Sequence, residues 1–175
     1  MELLKREASH LRPGAGRAAW VFGGQLFTRK VSAEQTGGAY SLFEGLVRPG
    51  GGTPPHVQHR EDECFYVLEG EFEFLTGEEV ARAGPGALLY VPRGTLHSFE
   101  NVGDDLGRVL ICQTPGGLHE RFIEEVGEIA ADGEEPPAVF AAPDFAALAT
   151  VAARYGVEMP PPARGNEKGH GGIER

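Results

Sequence analysis

The residues that decide the fold are 50–75, GGGTPPHVQHREDECFYVLEGEFEFL, answered by 84–101, GPGALLYVPRGTLHSFEN. In the first stretch Phe72 and Phe74 alternate with Glu71 and Glu73, the period-two signature of a strand with one buried face. Glycine and proline clusters bracket each apolar run, as tight turns between short strands require. Residues two apart on a strand share a face, so His56 and Gln58 point one way while Val57 and His59 point the other. Glu63 follows the charged turn Arg60-Glu61-Asp62 and shares parity with Phe65 and Val67, which sets Cys64 on the opposite face. The second stretch reads as a strand over 87–91, a turn at Pro92-Arg93-Gly94, and a strand carrying His97 and Phe99. If the two stretches lie side by side, His56, Gln58, Glu63 and His97 converge.

Further strands are expected at 20–22, 25–31, 39–47 and 108–113, with a hairpin at Thr76-Gly77-Glu78. The 26 glycines among 175 residues are about twice ordinary usage, and the 13 prolines are also above it, which favours short strands over long helices. The fold class is therefore all-β. After Pro115 the pattern changes: Leu118, Phe122, Ile123 and Val126 fall on one face of a helix, and a second helical segment is opened by Pro143-Asp144 and stopped by Gly156. The expected organisation is an N-terminal arm over 1–18, a barrel over 19–114, a helical extension over 115–158 and a disordered tail over 159–175.

Sixteen Lys and Arg against 26 Asp and Glu leave a net charge of −10. Such a chain repels phosphate backbones and anionic lipid, so neither a nucleic acid nor a membrane surface is an expected partner. The N-terminal MELLKREASH lacks the charged, apolar, small-residue order of a secretory signal, which reads as cytoplasmic. Cys64 and Cys112 are the only cysteines, too few for a disulfide framework, and are expected as reduced, packed thiols.

The spacing of these residues resembles the two sequence motifs of the cupin superfamily. Gly50, His56, Glu63 and Gly70 match the first motif, and Gly86, Pro92, Gly94, His97 and Asn101 match the second. The tail after Gln113, Thr-Pro-Gly-Gly and then a helix, is similar to single-domain cupins labelled quercetin dioxygenase-like. The resemblance implies a double-stranded β-helix, or jelly-roll barrel, with two short C-terminal helices and a metal in its mouth. In that family three His and one Glu bind Fe, Mn, Ni, Cu or Zn with open positions for substrate, so the implied metal ligands are His56, Gln58, Glu63 and His97. It also implies Glu63 as the catalytic acceptor of a substrate hydroxyl proton, a small-molecule substrate and a homodimer.

The second histidine of the family's His-x-His pair is here Gln58. An amide oxygen is a neutral, harder donor than imidazole nitrogen and favours Mn or Mg over Ni, Cu or Zn. Gln58 as an oxygen ligand, Gln58 holding a metal-bound water, and a site that has lost its metal stay open, and His59 could replace it only through a bulge that flips its face. The matching activities are a dioxygenase acting on a small aromatic or enolic molecule, a non-catalytic binding barrel, or a metal-assisted isomerase or epimerase. No spacing supports His10, His119 or His170, which read as surface or satisfied core residues. Glu61 and Asp62 read as a solvated turn, and Phe65, Phe72, Phe74, Phe99, Tyr66 and Tyr90 as core.

Overall fold

The computed structural model describes residues 8–22, 24–131 and 144–161. The expected structures of the N-terminal seven residues, Pro143, His170 and most of the tail lie outside them. The chain builds β1 (Arg17–Val21), β2 (Gln25–Val31), a one-turn α1 (Ala33–Thr36) and β3 (Ser41–Val47). Then follow β4 (Gly52–Gln58), β5 (Asp62–Glu69), β6 (Phe72–Thr76), β7 (Glu79–Ala83), β8 (Leu88–Val91), β9 (Leu96–Asn101) and β10 (Gly107–Thr114). The C-terminal part holds α2 (Leu118–Val126), β11 (Glu128–Ile129), α3 (Phe145–Arg154) and β12 (Val157–Glu158).

Two antiparallel sheets form, in the orders β11-β1-β2-β3-β10-β5-β8 and β12-β4-β9-β6-β7. This is the double-stranded β-helix, with its core between the sheets. Strand parity drives it: Phe65 and Val67 of β5, Val109 and Ile111 of β10, Phe72 and Phe74 of β6 and Phe99 of β9 are all buried. Phe65, Phe74 and Phe99 meet with ring centroids 5.5–6.0 Å apart, and Phe72 joins them at 5.9 Å from Phe99. Each buried ring contributes about 1.5–3 kcal/mol from removal of apolar surface from water, and the tilted contacts add to that.

The same parity corrects one expectation. Tyr66 and Tyr90 are not core: they stand on the outer face of the larger sheet and are 41% and 58% exposed, because Glu63, Phe65 and Val67 claim the inward positions. Cys64 and Cys112 lie opposite one another on that outer face as free thiols. The two-residue strands β11 and β12 and the helix α1 were not legible in the pattern. Ser32 caps α1 with a reciprocal Gln35 box, and β11 and β12 extend β1 and β4 by pairing alone.

Two motif glycines are required by the backbone. Gly70 turns β5 into β6 at φ +85°, where a Cβ would lie 2.7 Å from the Gly107 Cα. Gly94 turns β8 into β9 at φ +85°, and its N–H donates to the Gln58 carbonyl at 2.7 Å, tying the turn to the end of β4. Asn101 donates to the carbonyls of Val47 and Asp105 and accepts from the Gly103 N–H, so the last motif residue fixes a loop. Phe99→Ala should cost about 3–5 kcal/mol in urea denaturation, because the other three rings cannot close the void; a loss under about 1 kcal/mol would show that the aromatic cluster does not carry the core.

Candidate metal centre

His56 of β4 and His97 of β9 are direct cross-strand partners, with ring centroids 4.2 Å apart. Glu63 reaches them from β5, in the other sheet. All three side chains are buried, and one ligand atom of each lies within 4.8 Å of the others. Each imidazole is oriented the same way. His56 Nδ1 lies 2.9 Å from the Pro54 carbonyl and His97 Nδ1 lies 2.9 Å from the Thr95 carbonyl. A carbonyl only accepts, so both Nδ1 atoms carry protons and both Nε2 atoms turn toward Glu63, whose Oε2 is 3.8 Å from His56 and 2.6 Å from His97.

Electrostatics follow from this burial. Desolvation alone would raise the Glu63 carboxyl, but the two imidazoles hold it well below the ordinary carboxylate range. Burial alone would lower His97, and its hydrogen bond and charge pairing with Glu63 outweigh that and raise it. Gln113 of β10 donates its amide to Glu63 Oε1 at 3.1 Å, so only Oε2 faces the histidines. Gln113 was not found from sequence, although it shares inward parity with Val109 and Ile111.

Gln58 is also buried, with its amide nitrogen 2.8 Å from His119 Nδ1. His59 faces outward to an exposed pair with Glu158. His119 is the functional candidate that sequence reasoning missed. It falls three and four residues before Phe122 and Ile123, so helical spacing already placed it on the buried face of α2. It is 5% exposed, and burial pushes its imidazole down to about 4, which keeps it neutral. Its Nδ1 is bonded, but its Nε2 is buried without a hydrogen-bond partner among the described residues, so it is not a fully satisfied core histidine.

Glu61 overturns the expectation of a solvated turn. It is 1% exposed and accepts hydrogen bonds from the backbone N–H groups of Leu118 and His119, each at 2.8 Å. The residue preceding α2 is Gly117, which has no side chain to cap it, so a carboxylate from the β4–β5 turn satisfies the helix N-terminus instead. Its neighbour Asp62 does lie at the surface, where hydrogen bonds from the Arg93 side chain and backbone hold its carboxyl down at about 2.

Two small cavities meet at this centre. One is lined by His56, Glu63, Phe65 and His119, the other by His56, His119, Phe22 and Met159. They offer about 10 and 20 Å³ to the centre of a water molecule, room for about one water each. A surface cleft of about 250 Å³ adjoins the second through Phe22, Thr53 and Pro54.

The centre fits a divalent transition ion on its own chemistry. Two imidazoles and one carboxylate are a known donor set for such ions, and metal-bound histidines characteristically donate their other N–H to a carbonyl, as both do here. Among the described residues, no helix is long and apolar enough to cross a membrane.

Comparison with known proteins agrees with the fold. Residues 43–112 match the family model described as a cupin domain. An uncharacterized protein of Streptomyces coelicolor is 34% identical over 78 residues, which cover 45% of this chain and 68% of that protein. Quercetin 2,3-dioxygenase of Bacillus subtilis is 26% identical over 106 residues, 61% of this chain and 31% of that enzyme. A crystal structure of a predicted oxalate decarboxylase from Thermotoga maritima superposes with a TM-score of 0.51 at 24% identity, over 56% of this chain and 89% of that one. The match thus spans from under a third to about two thirds of the length of these curated relatives.

Because Glu61 is raised to about 7 by burial and by the nearby charge of Glu63, against two backbone hydrogen bonds and Arg121 that lower it, folding takes up a proton between about pH 4.5 and 7. Stability from this group is present below that window and declines as pH rises through it. Glu61→Gln cannot ionise and keeps an acceptor for α2, so urea denaturation at roughly pH 5 and pH 8 should show the wild type losing on the order of 1–3 kcal/mol that the variant retains. Parallel losses would mean that the carboxylate stays ionised throughout. The chain, by its motifs, its barrel and these matches, belongs to the cupin superfamily.

Proposed function

We propose that the protein is a metal-dependent dioxygenase acting on a small aromatic or enolic molecule, with His56, Glu63 and His97 holding a divalent Fe, Mn, Ni, Cu or Zn ion. The observation that carries this reading is the pair of carbonyl-anchored imidazoles turned onto one buried carboxylate. Gln58 supplies the fourth donor through its amide oxygen, since its amide nitrogen is engaged by His119. Likeness to a quercetin 2,3-dioxygenase supports the reaction class.

A bound transition ion would supply open coordination positions and the electron transfer or polarisation that oxygen chemistry needs. The residues of the chain do the rest. With Oε1 held by Gln113, Glu63 presents Oε2 to accept the proton of a substrate hydroxyl. Phe65 and the rings beyond it exclude water from the inner side of the centre. The small inner cavities favour a compact group entering edge-on from the outer cleft.

Elemental analysis of purified protein should find close to one transition ion per chain, and His97→Ala should abolish it while leaving the fold intact by circular dichroism. An oxygen electrode should then register uptake with flavonol-like or enediol substrates only in the loaded wild type. Full occupancy in His97→Ala would defeat the ligand set. Turnover without oxygen uptake would make the protein an isomerase or epimerase, and ligand-dependent stabilisation without turnover would make it a binding barrel.

A further inference from the structure

His119 lies beside the proposed metal centre and has no part in holding the ion or taking the substrate proton. Its position is closely determined. Its own backbone N–H is held by Glu61, and its ring packs edge-on against Phe43 and Phe122 at 6.3 and 6.0 Å. Its Nδ1 lies 2.8 Å from the Gln58 amide nitrogen. An amide nitrogen donates, so Nδ1 accepts, and a neutral imidazole that accepts at Nδ1 carries its proton on Nε2. That Nε2–H is buried with no acceptor among the described residues. Its ring lines both inner cavities, alongside His56 and Glu63 in one and Phe22, Pro54 and Met159 in the other.

An unpaired buried donor is costly unless something that enters the site accepts from it. A fixed donor in a cavity shared with metal-ligating side chains is suited to an oxygen atom that carries partial or full negative charge. We infer that His119 is a substrate-binding residue whose Nε2–H donates to a carbonyl, enolate or carboxylate oxygen of a molecule that places a second oxygen at the His56–Glu63–His97 centre. Gln58 is the positioning residue that keeps the proton on Nε2. The location of the second oxygen rests on the metal-centre reading above; the state of the His119 ring does not. Since each inner cavity has room for only about one water, the cavity that His119 shares with Phe22 and Met159 must widen to admit the incoming group from the outer cleft.

Two measurements test this. In metal-free protein labelled with ¹⁵N in its histidine rings, long-range proton–nitrogen correlation spectra should show His119 protonated at Nε2 and bare at Nδ1, and Gln58→Leu should remove that bias. A proton on Nδ1 in the wild type overturns the assignment. Second, 4-nitrocatechol, a coloured probe with two adjacent oxygens, is titrated into zinc-loaded protein. His119→Phe should weaken binding by about tenfold, as loss of one hydrogen bond does, at unchanged zinc content. His119→Gln, which keeps a donor of similar reach, should restore most of the affinity and guards against simple misfolding of the phenylalanine variant. Equal affinity in His119→Phe, or loss of zinc in both variants, contradicts a substrate-binding role. A wild type that takes up no metal defeats the metal-centre reading alone; His119 is then decided by the same titration of metal-free protein, where binding that is absent or indifferent to His119 overturns the inference.

Discussion

The rest of the structure is organised around one buried carboxylate. Glu63 sits between two sheets at 2% exposure, where an uncompensated charge would be prohibitive. Its compensation comes from both layers. Gln113, on the neighbouring strand of its own sheet, takes one oxygen, and two imidazoles from the facing sheet take the other side. Neither imidazole is free to turn, because each is tethered to the carbonyl two residues before it. Cross-strand pairing of His56 with His97 is what makes the two tethers converge, so the site is a property of the sheet register as much as of residue identity.

A second carboxylate, Glu61, connects this centre to the C-terminal extension. It leaves the β4–β5 turn two residues before Glu63 and caps α2 at Leu118 and His119. Through that cap the extension delivers an imidazole to the barrel mouth. On the other side β12 pairs with the end of β4, setting Val157 opposite Gln58. Thus Gln58, which departs from the family's motif, is held by β12 along its backbone and by His119 along its side chain. The departure from the motif and the C-terminal segment thus meet at one residue.

Much of this was legible in the sequence. Period-two alternation placed Phe72 and Phe74 in the core, and the motif spacing from His56 to Asn101, through its resemblance to the cupin motifs, implied the barrel in which His56, Glu63 and His97 meet. The failures have physical causes. Tyr66 and Tyr90 carry apolar rings that residue type alone assigns to a core, whereas strand parity sends them outward. Glu61 stands among charged neighbours typical of an exposed turn, and its burial depends on a helix more than fifty residues later in the chain. His119 and Gln113 each stood at a position whose periodicity was already apolar, and a polar residue at such a position is itself a signal of an interior site. Nothing local marks β11 and β12, which exist because β1 and β4 offer them an edge.

The most direct test of the account is an anomalous-difference map from crystals of protein loaded with Mn or Zn. A single strong peak is expected between His56, Glu63 and His97, bonded to the Nε2 atoms of both histidines and to a Glu63 carboxylate oxygen. A peak elsewhere, or coordination through either Nδ1, would contradict it, because both Nδ1 protons belong to the backbone carbonyls that aim the rings.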